Sequence, residues 1–295
     1  MATTASAPRA KSGYQIDVED VEYLRDGEAS LLARLYKPRG NGPFPLMIDL
    51  HGGAWCTGDR MNDTVLCEAL ARSGVVVAAL DFRMPPHAGY PGSIADIHYA
   101  IRWLKSRAGQ LKIRPDKVGG IGISSGGHQG MLIAMRPDDP RYAALKLDGH
   151  GSIDAKLQCF VNCWPVIDPR ARYHYAQKLK AGGGTYPEAI DRVLPLHMKY
   201  WGSEEAMEEG NPVRILERGE PVTLPPVLYV QGEKDMMHPR PDLDRFVASY
   251  RQRGGEVDLA LYPDEVEGFV VRNASGPNAP KAMERIIAFV HRYLG

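Results

Sequence analysis

Val118-Gly119-Gly120-Ile121-Gly122-Ile123-Ser124-Ser125-Gly126-Gly127-His128 is an apolar run that enters a glycine-flanked serine. Met131, Leu132, Ile133 and Met135 follow at positions a helix can use. Gly122-Ile123-Ser124-Ser125-Gly126 fits the pattern G-x-S-x-G, in which a sharp turn from strand to helix holds the serine in a strained conformation. A Cβ two residues to either side would collide across so tight a bend, which accounts for both glycines. The turn lifts the serine Oγ above the sheet and aims the first N–H groups of the helix at whatever binds there. A bare pentapeptide can equally be a glycine-rich connection, so its surroundings decide.

Those surroundings alternate. Asp17 to Leu24 and Leu31 to Tyr36 read as a hairpin turning at Arg25-Asp26-Gly27-Glu28. Phe44 to Leu50, Val75 to Leu80, Leu157 to Trp164, Pro226 to Gln231 and Val257 to Tyr262 are short apolar runs suited to strands buried on both faces. Helices are predicted between them. Met61 to Ser73 is one, and a second follows Ser93, its expected N-cap, through Ile94, Ile97, Ile101 and Leu104. Asp242 to Gln252 and Ala279 to Leu294 are two more. The alternation implies a mostly parallel, doubly wound α/β sheet in one domain over residues 14–295. Residues 165–224 break the rhythm, being too long for a simple crossover. With Tyr173, His174, Tyr175, Tyr186, Tyr200, Trp201 and a flexible Gly182-Gly183-Gly184, this insertion is expected to be a helical lid.

Composition narrows the function. The chain has 295 residues, 44% hydrophobic and 24% charged, with 36 basic and 36 acidic residues dispersed along it. That is a globular composition with ample core, and nothing basic is concentrated enough for nucleic acid or an anionic membrane. No run reaches the roughly 18 apolar residues that cross a bilayer. Residues 1–13 are small and polar, read as a disordered tail rather than a signal. Cys56, Cys67, Cys159 and Cys163 are expected to be reduced thiols in a cytoplasmic protein.

The loop His51-Gly52-Gly53-Ala54-Trp55 follows a strand some seventy positions before Ser124. With the G-x-S-x-G turn it resembles the α/β-hydrolase fold, in the group of carboxylesterases, hormone-sensitive-lipase-like esterases, feruloyl esterases and kynurenine formamidases. The likeness covers about Val18 to Leu294, including Asp81-Phe82-Arg83 and Gln231-Gly232-Glu233-Lys234-Asp235. It implies a serine hydrolase acting on a small ester, amide or lactone, without metal or cofactor. Ser124 would be the nucleophile and Asp235 the acid that orients the base. The N–H groups of Gly53, Ala54 and Ser125 would form the oxyanion hole.

One departure is conspicuous. The group's base is a histidine after the last strand, directly before Gly-Phe, whereas Glu267 precedes Gly268-Phe269 here. Serine needs a nearby base, and a free carboxylate of pKa about 4.3 is a poor one. Three accounts follow. A different histidine can serve: His238, three residues past Asp235, is preferred over His128 and His51, which are expected to pack under the turn and to brace their own loop. Alternatively Glu267 and Asp235 share a proton and support hydrolysis, lysis or decarboxylation. Lastly, the chain is a ligand-binding protein without a working triad. Trp55, Met236, Met237 and the insertion's aromatics point to an apolar or aromatic small-molecule substrate, and a homodimer is compatible with the fold.

Overall fold

The computed structural model describes residues 13–27 and 29–295. The expected tail, apart from Gly13, and Glu28 of the hairpin turn lie outside the described residues. In chain order the elements are β1 (Ile16–Asp26), β2 (Ala29–Pro38), β3 (Phe44–Leu50), α1 (Thr64–Arg72), β4 (Val76–Leu80), α2 (Gly92–Ser106), α3 (Ala108–Leu111), β5 (Ile113–Ile123), α4 (Ser125–Met135) and β6 (Phe160–Cys163). There follow α5 (Pro169–Ala181), α6 (Ala189–Trp201), α7 (Glu204–Glu209), α8 (Pro212–Glu217), β7 (Val227–Gly232), α9 (Arg240–Gln252), β8 (Val257–Tyr262), α10 (Phe269–Arg272) and α11 (Ala279–Leu294).

One eight-stranded sheet has the order β1-β2-β4-β3-β5-β6-β7-β8. The opening hairpin is antiparallel and joins β4 antiparallel; every pairing from β4 to β8 is parallel. Side chains alternate between two apolar layers, as a period of two requires. Leu46, Ile48, Val76 and Ala78 face the layer containing Ile97 and Ile101 of α2, Met131 of α4 and Phe246 of α9. Met47, Val77 and Ala79 face Leu66 and Leu70 of α1 and Ile286 and Val290 of α11. Burial on both faces explains why the central strands are unbroken apolar runs.

Residues 165–224 fold into α5 to α8 and bring a third apolar cluster of Ile190, Val193, Tyr200, Trp201 and Met207. Three of these helices start where local chemistry dictates. Asp168 before Pro169 and Asn211 before Pro212 cap α5 and α8, and Ser203 caps α7, each side chain accepting from a first-turn amide. The sequence expectation for α2 fails in one respect. Ser93 is not its cap but a fully buried residue inside it, its Oγ 2.8 Å from the Tyr200 hydroxyl of α6 and accepting from Gln129 Nε2 at 2.8 Å.

Candidate active site

β5 ends at Ile123 and α4 starts at Ser125, so Ser124 alone makes the bend, with φ 51° and ψ −114°. An L-residue held there is strained and persists only if its surroundings over-determine it. They do. Its N–H donates to Cys163 O at 3.0 Å, and its carbonyl accepts from Val166 N at 3.0 Å and His128 N at 3.3 Å. A Cβ on Gly122 would come within 2.6 Å of the Gly126 backbone, and one on Gly126 within 2.0 Å of Leu50 O.

The neighbouring loop also has an unusual backbone. Gly53, Ala54 and Trp55 have φ of 114°, 51° and 61°. Gly53 cannot carry a side chain, because its Cβ would lie 1.9 Å from Thr57 O. The Gly53 carbonyl accepts from the amides of Cys56 and Thr57, each at 3.1 Å, while the amides of Gly53 and Ala54 donate to no backbone carbonyl among the described residues. Trp55 locks the loop from below. Its indole stacks on Tyr200 at 5.4 Å and donates to His128 Nδ1 at 3.2 Å, and His128 Nε2 donates to Gly210 O at 2.8 Å. His128 is thus a fully buried brace under the turn, its pKa driven down to about 4 by that burial. His51 also braces: it bonds Gly52 O at 2.7 Å and stacks on Phe82 at 4.4 Å. Asp81, beside Phe82, pairs with Arg60 at 2.8 Å, and Arg83 is held by buried Asp96.

The acid and the imidazole come from one short loop after β7. Asp235 Oδ1 accepts from the backbone amides of Met237 at 2.7 Å and His238 at 3.1 Å, closing a tight Asx turn. Its Oδ2 lies 2.9 Å from His238 Nδ1. A carboxylate there requires the proton on Nδ1, which leaves Nε2 as an acceptor. Nε2 faces Ser124 Oγ at 3.1 Å. Other side chains hold the loop's carbonyls. Gln231 Nε2 donates to His238 O at 2.8 Å, Arg172 Nε to Met237 O at 3.1 Å, and the Tyr175 hydroxyl to Met236 O at 3.1 Å. The arrangement can pass a proton from Oγ to Nε2 while the carboxylate steadies the imidazolium.

Glu267 does not join this chain. Its carboxylate binds Arg272 at 2.9 Å on the wall of the same cleft. Asp235 spends both oxygens on its own loop, so the structure replaces the expected shared proton between Glu267 and Asp235 with two separate pairings.

The cleft has a volume of about 450 Å³ and is walled by Ala54, Ile123, Val166, Val193 and Met237. It also holds Asp63, Arg172, Arg192, Glu267 and Arg272. The aromatic wall expected from sequence is absent among the described residues. Trp55, Tyr200 and Trp201 are buried in packing and Met236 faces outward; of the aromatic side chains only Trp164 and the His238 ring border the cleft. Arg172, Gln231 and Tyr175 were not singled out as site residues by sequence reasoning. An Arg, a Gln or a Tyr aimed at a carbonyl leaves no local pattern in the sequence.

This sheet order, with the strained serine after its fifth strand and the histidine–aspartate loop after its seventh, is the α/β-hydrolase fold. The metagenomic carboxylesterase EstE1 superposes with a TM-score of 0.76 at 21% identity, covering 97% of this chain and 92% of that one. Esterase B of Lactobacillus rhamnosis gives 0.77 at 20% identity, covering 97% and 88%. Residues 34–242 match the BD-FAE family, and the chain belongs to it. Esterase LipC of Mycobacterium tuberculosis is 26% identical over 258 residues, which are 85% of this chain and 59% of LipC. An arylesterase of Saccharolobus solfataricus is 32% identical over 115 residues, 39% of this chain and 35% of that protein. The chain therefore spans about three fifths of LipC and a smaller share of the arylesterase.

Proposed function

We propose that this protein is a serine ester hydrolase for small substrates in which His238, rather than a residue after the last strand, is the general base. The observation that carries the reading is the hydrogen-bonded series Ser124 Oγ, His238 Nε2 at 3.1 Å, and His238 Nδ1 to Asp235 Oδ2 at 2.9 Å. The esterase names of its relatives support the choice of an ester. Ser124 Oγ attacks the ester carbonyl as Nε2 takes its proton. The N–H groups of Gly53, Ala54 and Ser125 receive the developing oxyanion, where each donor typically contributes about 10²–10³ in rate. The imidazolium then gives its proton to the departing alkoxide. Water, activated by the same imidazole, hydrolyses the acyl-enzyme and restores Ser124. Val166, Val193 and Ile123 suit a small apolar portion of the substrate.

A fluorophosphonate probe and an aryl ester test this. Rapid labelling at Ser124, abolished in Ser124→Ala, is expected. His238→Ala should lower kcat by about 10³-fold or more, since serine is then left without a base. Glu267→Gln should cost less than about tenfold, because that carboxylate only faces Arg272. Turnover that survives Ser124→Ala but is lost in Glu267→Gln would sink the assignment in favour of the carboxylates. Absence of both labelling and turnover would leave a binding protein.

A further inference from the structure

Arg172, on α5, lines the cleft yet is only 3% exposed, and no carboxylate among the described residues binds it. Its Nε donates to Met237 O at 3.1 Å. Its Nη1 lies 3.2 Å from His197 Nε2, and His197 Nδ1 lies 3.1 Å from Val193 O. That pair of contacts defines a neutral histidine that donates to Val193 and accepts from the arginine. Burial and the adjacent guanidinium hold His197 down at about 3, so it stays neutral. Nη2 has no acceptor among the described residues. A buried guanidinium ordinarily ends in a carboxylate, since a desolvated cation without one is costly.

The acids around it do not take that place. Glu267 is committed to Arg272, and Asp235 to the amides of its loop and to His238. Asp63 and Asp242 are pushed up to about 7 by burial, so each holds its proton for part of the time at neutral pH. Burial brings Arg172 itself down only to about 10, and it stays cationic. Arg192 adds a second cation to the cleft. The guanidinium also bonds the carbonyl of residue 237, immediately before His238, so an anion on it lies beside the reacting ester.

We propose that Arg172 is a substrate-binding residue, and that the esters taken by this cleft carry a carboxylate that its guanidinium receives. The inference rests on the ester-hydrolase reading and narrows it to a substrate class. The apolar walls take the short chain or ring between the ester and the carboxylate. Two pairs of esters test it in the full-length protein: 4-nitrophenyl hemiglutarate against 4-nitrophenyl pentanoate, and 4-acetoxybenzoate against its methyl ester. In at least one pair the wild type should favour the acid by roughly tenfold or more in kcat/KM, the scale of one charge-assisted contact. Arg172→Met should collapse that ratio to about one or below, and Arg172→Lys should restore part of it.

A role confined to bracing the His238 loop predicts equal losses on both members of a pair and an unchanged ratio, which would overturn the proposal. So would a wild type that hydrolyses acid and neutral esters alike, a result that leaves the hydrolase reading standing. If Arg172→Met turns over too slowly to measure, calorimetric binding of glutarate and 4-hydroxybenzoate to Ser124→Ala, with and without Arg172→Met, decides. Binding of at least one that is lost with the arginine supports the proposal; binding unaffected by its loss, or no binding to either, rejects it. Failure of the ester reading has a different signature, namely no fluorophosphonate adduct at Ser124 and no turnover of any of the four esters.

Discussion

Asp63 stands just before α1 without capping it, almost wholly buried, and its Oδ2 has no hydrogen-bond partner among the described residues. Burial raises its pKa from 3.8 to about 7, with Arg272 pulling the other way, and Asp49 is raised by burial and by Asp63. The sign follows from linkage. Below about pH 4 the group is protonated in both states and its contribution to stability is intact. As pH rises toward 7 the unfolded chain releases the proton while the folded chain retains it, so stability falls. Asp63→Asn should therefore raise Tm at both pH 5 and pH 8, and by several degrees more at pH 8, the difference between the two being on the order of 2–4 kcal/mol. Thermal unfolding at both pH values checks it; equal shifts would contradict the assignment. Single residues were the hardest part to read from sequence. Ser124 announces itself through its glycines, whereas His238 is marked only by standing three positions after Asp235. Glu267 was conspicuous for occupying a familiar place, although its partner proves to be Arg272.

At the scale of elements, α4 fixes how closely the helix after Ser124 approaches β6. A Cβ on Gly130 would lie 2.2 Å from the Phe160 ring, whereas one on Gly109 of α3 meets nothing within 4 Å. Gly130→Ala should cost about 1–3 kcal/mol through overpacking. Gly109→Ala should be neutral or add up to about 1 kcal/mol by restricting the unfolded chain. Denaturant midpoints of the two variants distinguish these outcomes. Strands were the most legible elements: Phe44–Leu50 and Val257–Tyr262 match their apolar runs residue for residue. Leu157 to Trp164 extends past the regular strand, because β6 is only Phe160–Cys163. Gln158 and Cys159 still bond to β5 and Trp164 to β7, but Gln158 is exposed and the backbone leaves the extended region at Trp164, with φ 38°. Ser93 was misread because a serine before an apolar helical pattern has two uses. The choice here depends on Tyr200, 107 residues away.

Across the molecule, the inserted helices and the sheet domain share buried polar joints as well as apolar ones. Asp168, after β6, accepts from Ala171 N at 2.9 Å and Asn211 Nδ2 at 2.7 Å, and pairs with Arg245 of α9 at 3.2 Å. It thereby ties α5, α8 and α9 at one point. Asp168→Ala should cost about 1–3 kcal/mol, because the Ala171 amide and the Asn211 side chain lose a buried acceptor, while the half-exposed Arg245 keeps Glu217. Calorimetry should record the loss in a single transition, and a separate early melting of residues 165–224 would instead mark them as an independent unit. The arrangement of layers was legible because alternating apolar runs leave few ways to cover a parallel sheet. The path of the insertion was not, since its packing depends on contacts between residues far apart in the chain.

With Asp235 and His238 three positions apart, their mutual geometry is written into a single Asx turn, and the loop is anchored by the amides of Glu233 and Lys234, which donate to Tyr262 O at 3.0 Å and Glu265 O at 2.9 Å. Past Glu265, drift or grafted residues around Glu267 can then reshape one wall of the cleft while the proton relay stays aligned, which makes that short stretch the natural place to diversify selectivity without rebuilding the chemistry.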